Sequence, residues 1–135
     1  MKKHLLMLAL ASTCFMATQA GAMTKDEYKA GKDKIEADYK AAKAQCDALK
    51  DNAKDVCQKE AKGKENVAKA ELEQQYKPSD SHARKVAEEK VKANYEVAKE
   101  KCDDQAGDAK AACVKQAKAD ESQGKADIKA MKKSM

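Results

Sequence analysis

Four cysteines form the one repeated pattern in this chain that could do chemistry: Cys46 with Cys57, and Cys102 with Cys113. Each pair is eleven residues apart, and the second pair follows the first by 56 positions. Paired thiols can close a disulfide, hold a metal or cycle electrons. Zinc thiolates usually come as close C-x2–4-C pairs, which this spacing does not supply. An even cysteine count in an exported chain favours disulfides, and these four residues are therefore expected to be bonded.

Other candidate chemistry is thin. His82 stands beside Pro78–Ser79–Asp80–Ser81, but Ser, Asp and His within a few residues of one another read as a helix cap and its first turn. A catalytic triad is assembled across a fold, with a third group orienting the base. Carboxylates are numerous, yet they alternate with lysines as on a solvated helix face. No glycine-rich phosphate loop is present. Tyr28, Tyr39, Tyr76 and Tyr95 fit a packing seam between helices better than a binding stripe. The expectation is no catalytic residue, no cofactor and no metal site.

The elements that must position the cysteines are legible from patterning. Met1–His4 is a short basic start, Leu5–Met16 a mostly apolar run, and Ala20–Gly21–Ala22 an Ala-x-Ala ending. That is a secretory leader over 1–22, with cleavage after Ala22. Cys14 lies within it, but Ala11 and Thr13 do not match a lipid-attachment site. The apolar run is too short to cross a bilayer comfortably, so no transmembrane segment is expected after cleavage. Without Lys2 and Lys3 the remaining chain has 26 basic and 23 acidic residues. Such a mixed-charge surface gives no reason to expect a nucleic-acid partner.

Thr24–Glu27 reads as a capping box. Tyr28, Ile35, Tyr39, Cys46 and Leu49, with Ala42 between, then fall at helical spacing. A first helix is predicted over 25–50. Asp51–Asn52 reads as a stop and restart, with Asn52 as the new cap. Gly107–Asp108 occupies the same place in the second copy. Helices follow over 53–76, 82–106 and 109–132, with Pro78 breaking the chain between the second and third. Residues 35–72 and 91–128 match at 15 of 38 positions, so the chain is a duplication: repeat one over 23–77, a linker over 78–81, and repeat two over 82–135.

In an antiparallel hairpin, residues level with each other share an index sum. For Cys46 and Cys57 that sum is 103, which also sets Ala42 against Ala61, Ile35 against Ala68 and Gly31 against Leu72. For Cys102 and Cys113 the sum is 215, which sets Ala98 against Ala117, Val91 against Gly124 and Ala87 against Ile128. Small residues thus permit the close approach a disulfide requires. Cys46–Cys57 and Cys102–Cys113 are predicted. An unbroken helix through each pair would instead allow Cys46–Cys113 and Cys57–Cys102, but the turn residues argue against it.

The stretches Asp38–Leu49, Asn52–Cys57, Glu60–Glu65 and Val97–Asp104 resemble a group of small exported proteobacterial proteins rich in Ala, Lys and Glu, with paired cysteines. These are sometimes described as TolA-like or cell-envelope biogenesis proteins. The resemblance implies a helical envelope protein and carries over no functional residue. It departs from TolA itself, which has a retained anchor and a C-terminal globular domain.

The fold expected is all-α: two tandem disulfide-stapled antiparallel helical hairpins, able to dock as a four-helix bundle. The function expected is non-enzymatic, in the periplasm or outside the cell, structural or envelope-associated, with envelope proteins or peptides as partners. The alternative is a binder of polyanions or anionic lipids through lysine-rich helix faces.

Overall fold

The computed structural model describes residues 22–133. The expected leader lies outside that range apart from Ala22. Four helices are present: α1 (Lys25–Cys46), α2 (Asp51–Tyr76), α3 (Asp80–Cys102) and α4 (Gly107–Lys133). Among the described residues there is no strand, and no helix is long and apolar enough to cross a membrane.

The local signals act where the sequence puts them. Thr24 caps α1: its Oγ1 accepts from the Glu27 backbone N–H at 3.2 Å, and Glu27 Oε2 accepts from the Thr24 N–H at 2.7 Å. Ser79 caps α3 by accepting from the His82 N–H at 3.0 Å, which starts that helix at Asp80, two residues before the expected 82 and inside the expected linker 78–81. Pro78 falls in the break between α2 and α3, where a ring without an N–H cannot continue a helix.

Both disulfides form within their own repeat, Cys46–Cys57 with Cα atoms 5.5 Å apart and Cys102–Cys113 with 5.6 Å. The predicted register holds. A Cβ on Gly31 would come 2.8 Å from Leu72 Cδ1, and one on Gly124 would come 2.5 Å from Val91 Cγ2. Both glycines thus sit at close approach: a Cβ at Gly31 would need the Leu72 side chain to turn aside, and one at Gly124 would press on the short, branched Val91.

The turns differ from the sequence reading. α1 ends at Cys46, not near Lys50, and α3 ends at Cys102, not near Ala106. The chain turns as soon as it has placed each cysteine: Leu49 N–H donates to Cys46 O at 3.0 Å, and Gln105 N–H donates to Cys102 O at 3.1 Å. Leu49, expected in the apolar seam, is therefore left on the turn and is 42% exposed. Asn52 does not cap α2. The N-cap is Lys50, which makes no side-chain capping bond, and the sharp change of direction falls on Asp51 at φ 51°. Its counterpart in the second repeat is Gly107 at φ 57°. Each turn carries a further equivalent ion pair, Asp47–Lys54 at 3.2 Å and Asp103–Lys110 at 2.8 Å.

The two hairpins dock through α2 and α3. Packing runs only between chain neighbours, α1 on α2, α2 on α3 and α3 on α4. The reason lies on α2. Ala61 faces α1 and Gly63 meets Ala93 of α3. Two residues along a helix are about 200° apart around it. The neighbours of α2 thus sit on nearly opposite sides, and the four helices form an open row. Buried apolar residues are correspondingly few and small: Cys46, Ala61, Ala70, Leu72, Cys102, Ala117 and Ile128.

Candidate functional site

An open row leaves both broad faces of α2 and α3 to solvent, and one of them is concave. Gly63 lets α2 approach α3 at Ala93, where an added Cβ would come 2.8 Å from the alanine Cβ. Beside this contact runs a groove of about 850 Å³. Its apolar floor is Val67 and Ala68 from α2 and Ala93, Val97 and Ala98 from α3, all half-buried. Residues 60, 64, 67 and 71 recur at helical spacing, as do 90, 94, 97 and 101, so each helix gives the groove one stripe.

The rim is charged and paired across the seam. Lys101 Nζ lies 3.0 Å from Glu60 Oε1, and Lys90 Nζ lies 2.7 Å from Glu71 Oε1. The acids stand on α2 and the bases on α3. Lys85–Glu73 at 3.1 Å adds another cross-seam pair, and Asn52 Nδ2 donates to Glu100 O at 3.1 Å. Glu60 and Glu73 have lysines one turn ahead on their own helix, at Lys64 and Lys77. They reach α3 instead.

A second polar feature lies between α1 and α2. Glu65 is buried, its side chain 6% exposed, and is bonded to Lys62 at 2.8 Å and Lys69 at 2.6 Å. Burial pushes its carboxyl up, but hydrogen bonds from Lys62 and Lys69 and their two charges outweigh that and hold it below the ordinary value. Lys62 Nζ also sits 5.2 Å from the centre of the Tyr39 ring. Its hydrogen bond to Glu65 raises the Lys62 pKa. In the second repeat Glu121 bonds Lys125 at 2.6 Å. Lys62, Glu65 and Lys69 all stand on α2, as Glu121 and Lys125 stand on α4, so these bonds use the charges on one another within a helix, and the Lys62–Tyr39 contact is the link to α1.

The residues singled out from the sequence are placed as follows. The cysteines staple the two turns, with Cys46 1% and Cys102 0% exposed. His82 turns back on its own linker, with Nδ1 2.7 Å from Lys77 O. Ser79, Asp80 and His82 thus form the start of α3, and no reactive grouping is assembled from them. Tyr28 and Tyr76 stack with ring centres 4.4 Å apart and close the open end of the first hairpin. Tyr39 and Tyr95 are half-buried between paired helices. Among the described residues, no group of three or more His, Cys, Asp or Glu side chains is placed to hold a metal ion.

The groove is a feature no expectation from the sequence covers, because it depends on how the apolar residues of α2 divide between two faces. The signal was available: Leu72 shares the side of α2 that carries Ala61 and Glu65, whereas Val67 lies close to the side that carries Gly63. Comparison with protein-family models, with curated proteins and with solved structures finds no match to this chain. The two disulfides fit an oxidising compartment.

Proposed function

We propose that this is a non-enzymatic helical protein of the periplasm or cell exterior that docks other polypeptide segments along the α2–α3 groove. The groove itself carries the reading. It joins an apolar floor to a rim of opposite charges, the composition by which helical surfaces hold other helices. The internal disulfides support it further, because they keep two thin-cored hairpins folded in an oxidising space without drawing on the exposed face. The leader-like first 22 residues and the resemblance to envelope proteins point to the same compartment. Two of the three lysines along the groove, Lys90 and Lys101, are already paired with Glu71 and Glu60, which weakens the competing reading of a polyanion binder.

The test is a photo-crosslinking residue in place of Asn94, an exposed position on the groove, activated in intact cells. Polypeptide adducts are expected. Adducts confined to lipid or polysaccharide would overturn the reading and favour anionic-ligand binding.

A further inference from the structure

The groove's own charge layout specifies what lies in it. We infer that two copies of this chain pack groove to groove, related by a two-fold axis parallel to α2 and α3. This rests on the reading of the groove as a polypeptide-docking surface and names the polypeptide as a second copy.

Glu60–Lys101 and Glu71–Lys90 share an index sum of 161, so each acid on α2 is level with a base on α3. A two-fold axis along the helices lays α2 of one copy over α3 of the other without changing height. Glu60 then meets Lys101 of the second copy, and Glu71 meets Lys90 of the second copy. At each of the two levels, four charges alternate in sign around a square. The other face-to-face arrangement, with the two-fold axis across the helices, lays α2 on α2. It sets Glu60 against Glu71 and Lys90 against Lys101, like against like, which is disfavoured in a partly dehydrated interface. The charges therefore admit one arrangement and reject the other.

Shape agrees with charge. The floor combines small residues, Gly63, Ala68, Ala93 and Ala98, with two larger ones, Val67 and Val97. The same register sets Gly63 over Ala98 and Ala68 over Ala93 of the second copy, small on small, while Val67 lies over Asn94 and Val97 over the aliphatic stem of Lys64. Four helices would then enclose the two half-buried valines of each copy in a common core, which the open row does not provide. The 23 residues of α3 span about 34 Å, and two adjacent helices are about 20 Å wide. Contact along the full length of the α2–α3 face, of which the groove is a part, gives roughly 700 Å² per copy or ~1,400 Å² in all, within the range of stable interfaces.

Sedimentation of the oxidised protein at about 100 μM, where an interface of this size should be associated, tests the inference first. A mass of two chains is expected; a mass of one chain overturns it. Two charge variants then locate the interface. Glu60→Lys with Glu71→Lys leaves only basic charges on the groove, and Lys90→Glu with Lys101→Glu leaves four acids against the single base Lys64. Each variant alone is expected to sediment as one chain, and an equimolar mixture is expected to recover the mass of two. Dimers formed by each variant alone, or a mixture that stays monomeric, overturn the inference. Asn94→Arg, at an exposed position bonded to neither partner helix's charges, guards against the reversals having undocked the hairpins. It is expected to give a monomer of unchanged helicity, and a dimer as tight as wild type counts against the groove as interface. A monomeric protein that still crosslinks to other polypeptides through position 94 would end this inference and leave the proposed function standing. A protein with no polypeptide in the groove at all would end both.

Discussion

Removing the first disulfide by Cys46→Ala with Cys57→Ala should release α1 selectively. α1 packs on α2 and on no other helix, so its hold on the molecule is that one interface plus the disulfide. The cysteines are 11 residues apart, and closing a loop of that size restricts the unfolded chain by about 3 kcal/mol. The contacts left to hold α1 are modest: Leu72 against Gly31, Ala61 near Ala42, the Tyr28–Tyr76 stack and Lys62 over the Tyr39 ring. Hydrogen exchange resolved by helix is the assay. Since each 1.4 kcal/mol is tenfold, α1 amides should lose about two decades of protection. The α3–α4 hairpin, closed by its own Cys102–Cys113 bond, should keep its protection. Equal loss in all four helices would refute the argument, because it would show the row unfolding as one cooperative unit. So would no loss in α1.

The two turns give a matched pair of substitutions. Asp51→Gly relieves a side chain held at φ 51° and should stabilise by roughly 0.5–1 kcal/mol, less any helix N-terminal charge interaction lost; Gly107→Ala at φ 57° should cost about 1 kcal/mol, and both are read from denaturant midpoints. Gly124→Ala should destabilise by about 1–3 kcal/mol, because the new methyl would meet Val91, whereas an alanine at Gly107 meets nothing and acts through backbone strain alone. Glu65 titrates below its ordinary value, so its contribution is present at neutral pH and is lost as pH falls through that lowered value. Glu65→Gln should therefore lower Tm at pH 7 and converge with wild type in acid, and a gap that stayed constant down to pH 2 would count against a role for its bonds to Lys62 and Lys69.

What the sequence determined by itself is everything that depends on neighbours along one hairpin. Helix type follows from Ala, Lys and Glu at high density, and the α1 start follows from Thr24 with Glu27. Register follows from arithmetic, because two antiparallel helices joined by a four-residue turn can align in few ways, and only one sets Cys46 by Cys57 and Gly31 by Leu72. Even so, the turn positions were misjudged by several residues. The lengths of α1 and α3 depended on where the disulfides tie the chain, and Asp51 accepts a backbone conformation that propensity assigns to glycine.

The tertiary structure alone decided how the hairpins meet. Glu60 could have bonded Lys64 on its own helix as readily as Lys101 on another; an exposed acid with lysines on two sides carries no sequence mark of its partner. Nor do small faces declare themselves: Gly63 and Ala93 look like any others in a chain this rich in alanine. Only their meeting makes α2 and α3 neighbours, and only the near-opposite placement of Ala61 and Gly63 around α2 opens the row. The groove is the product of that angle between two helix faces, which depends on how far apart around α2 its two neighbours sit and is set only once both hairpins have packed.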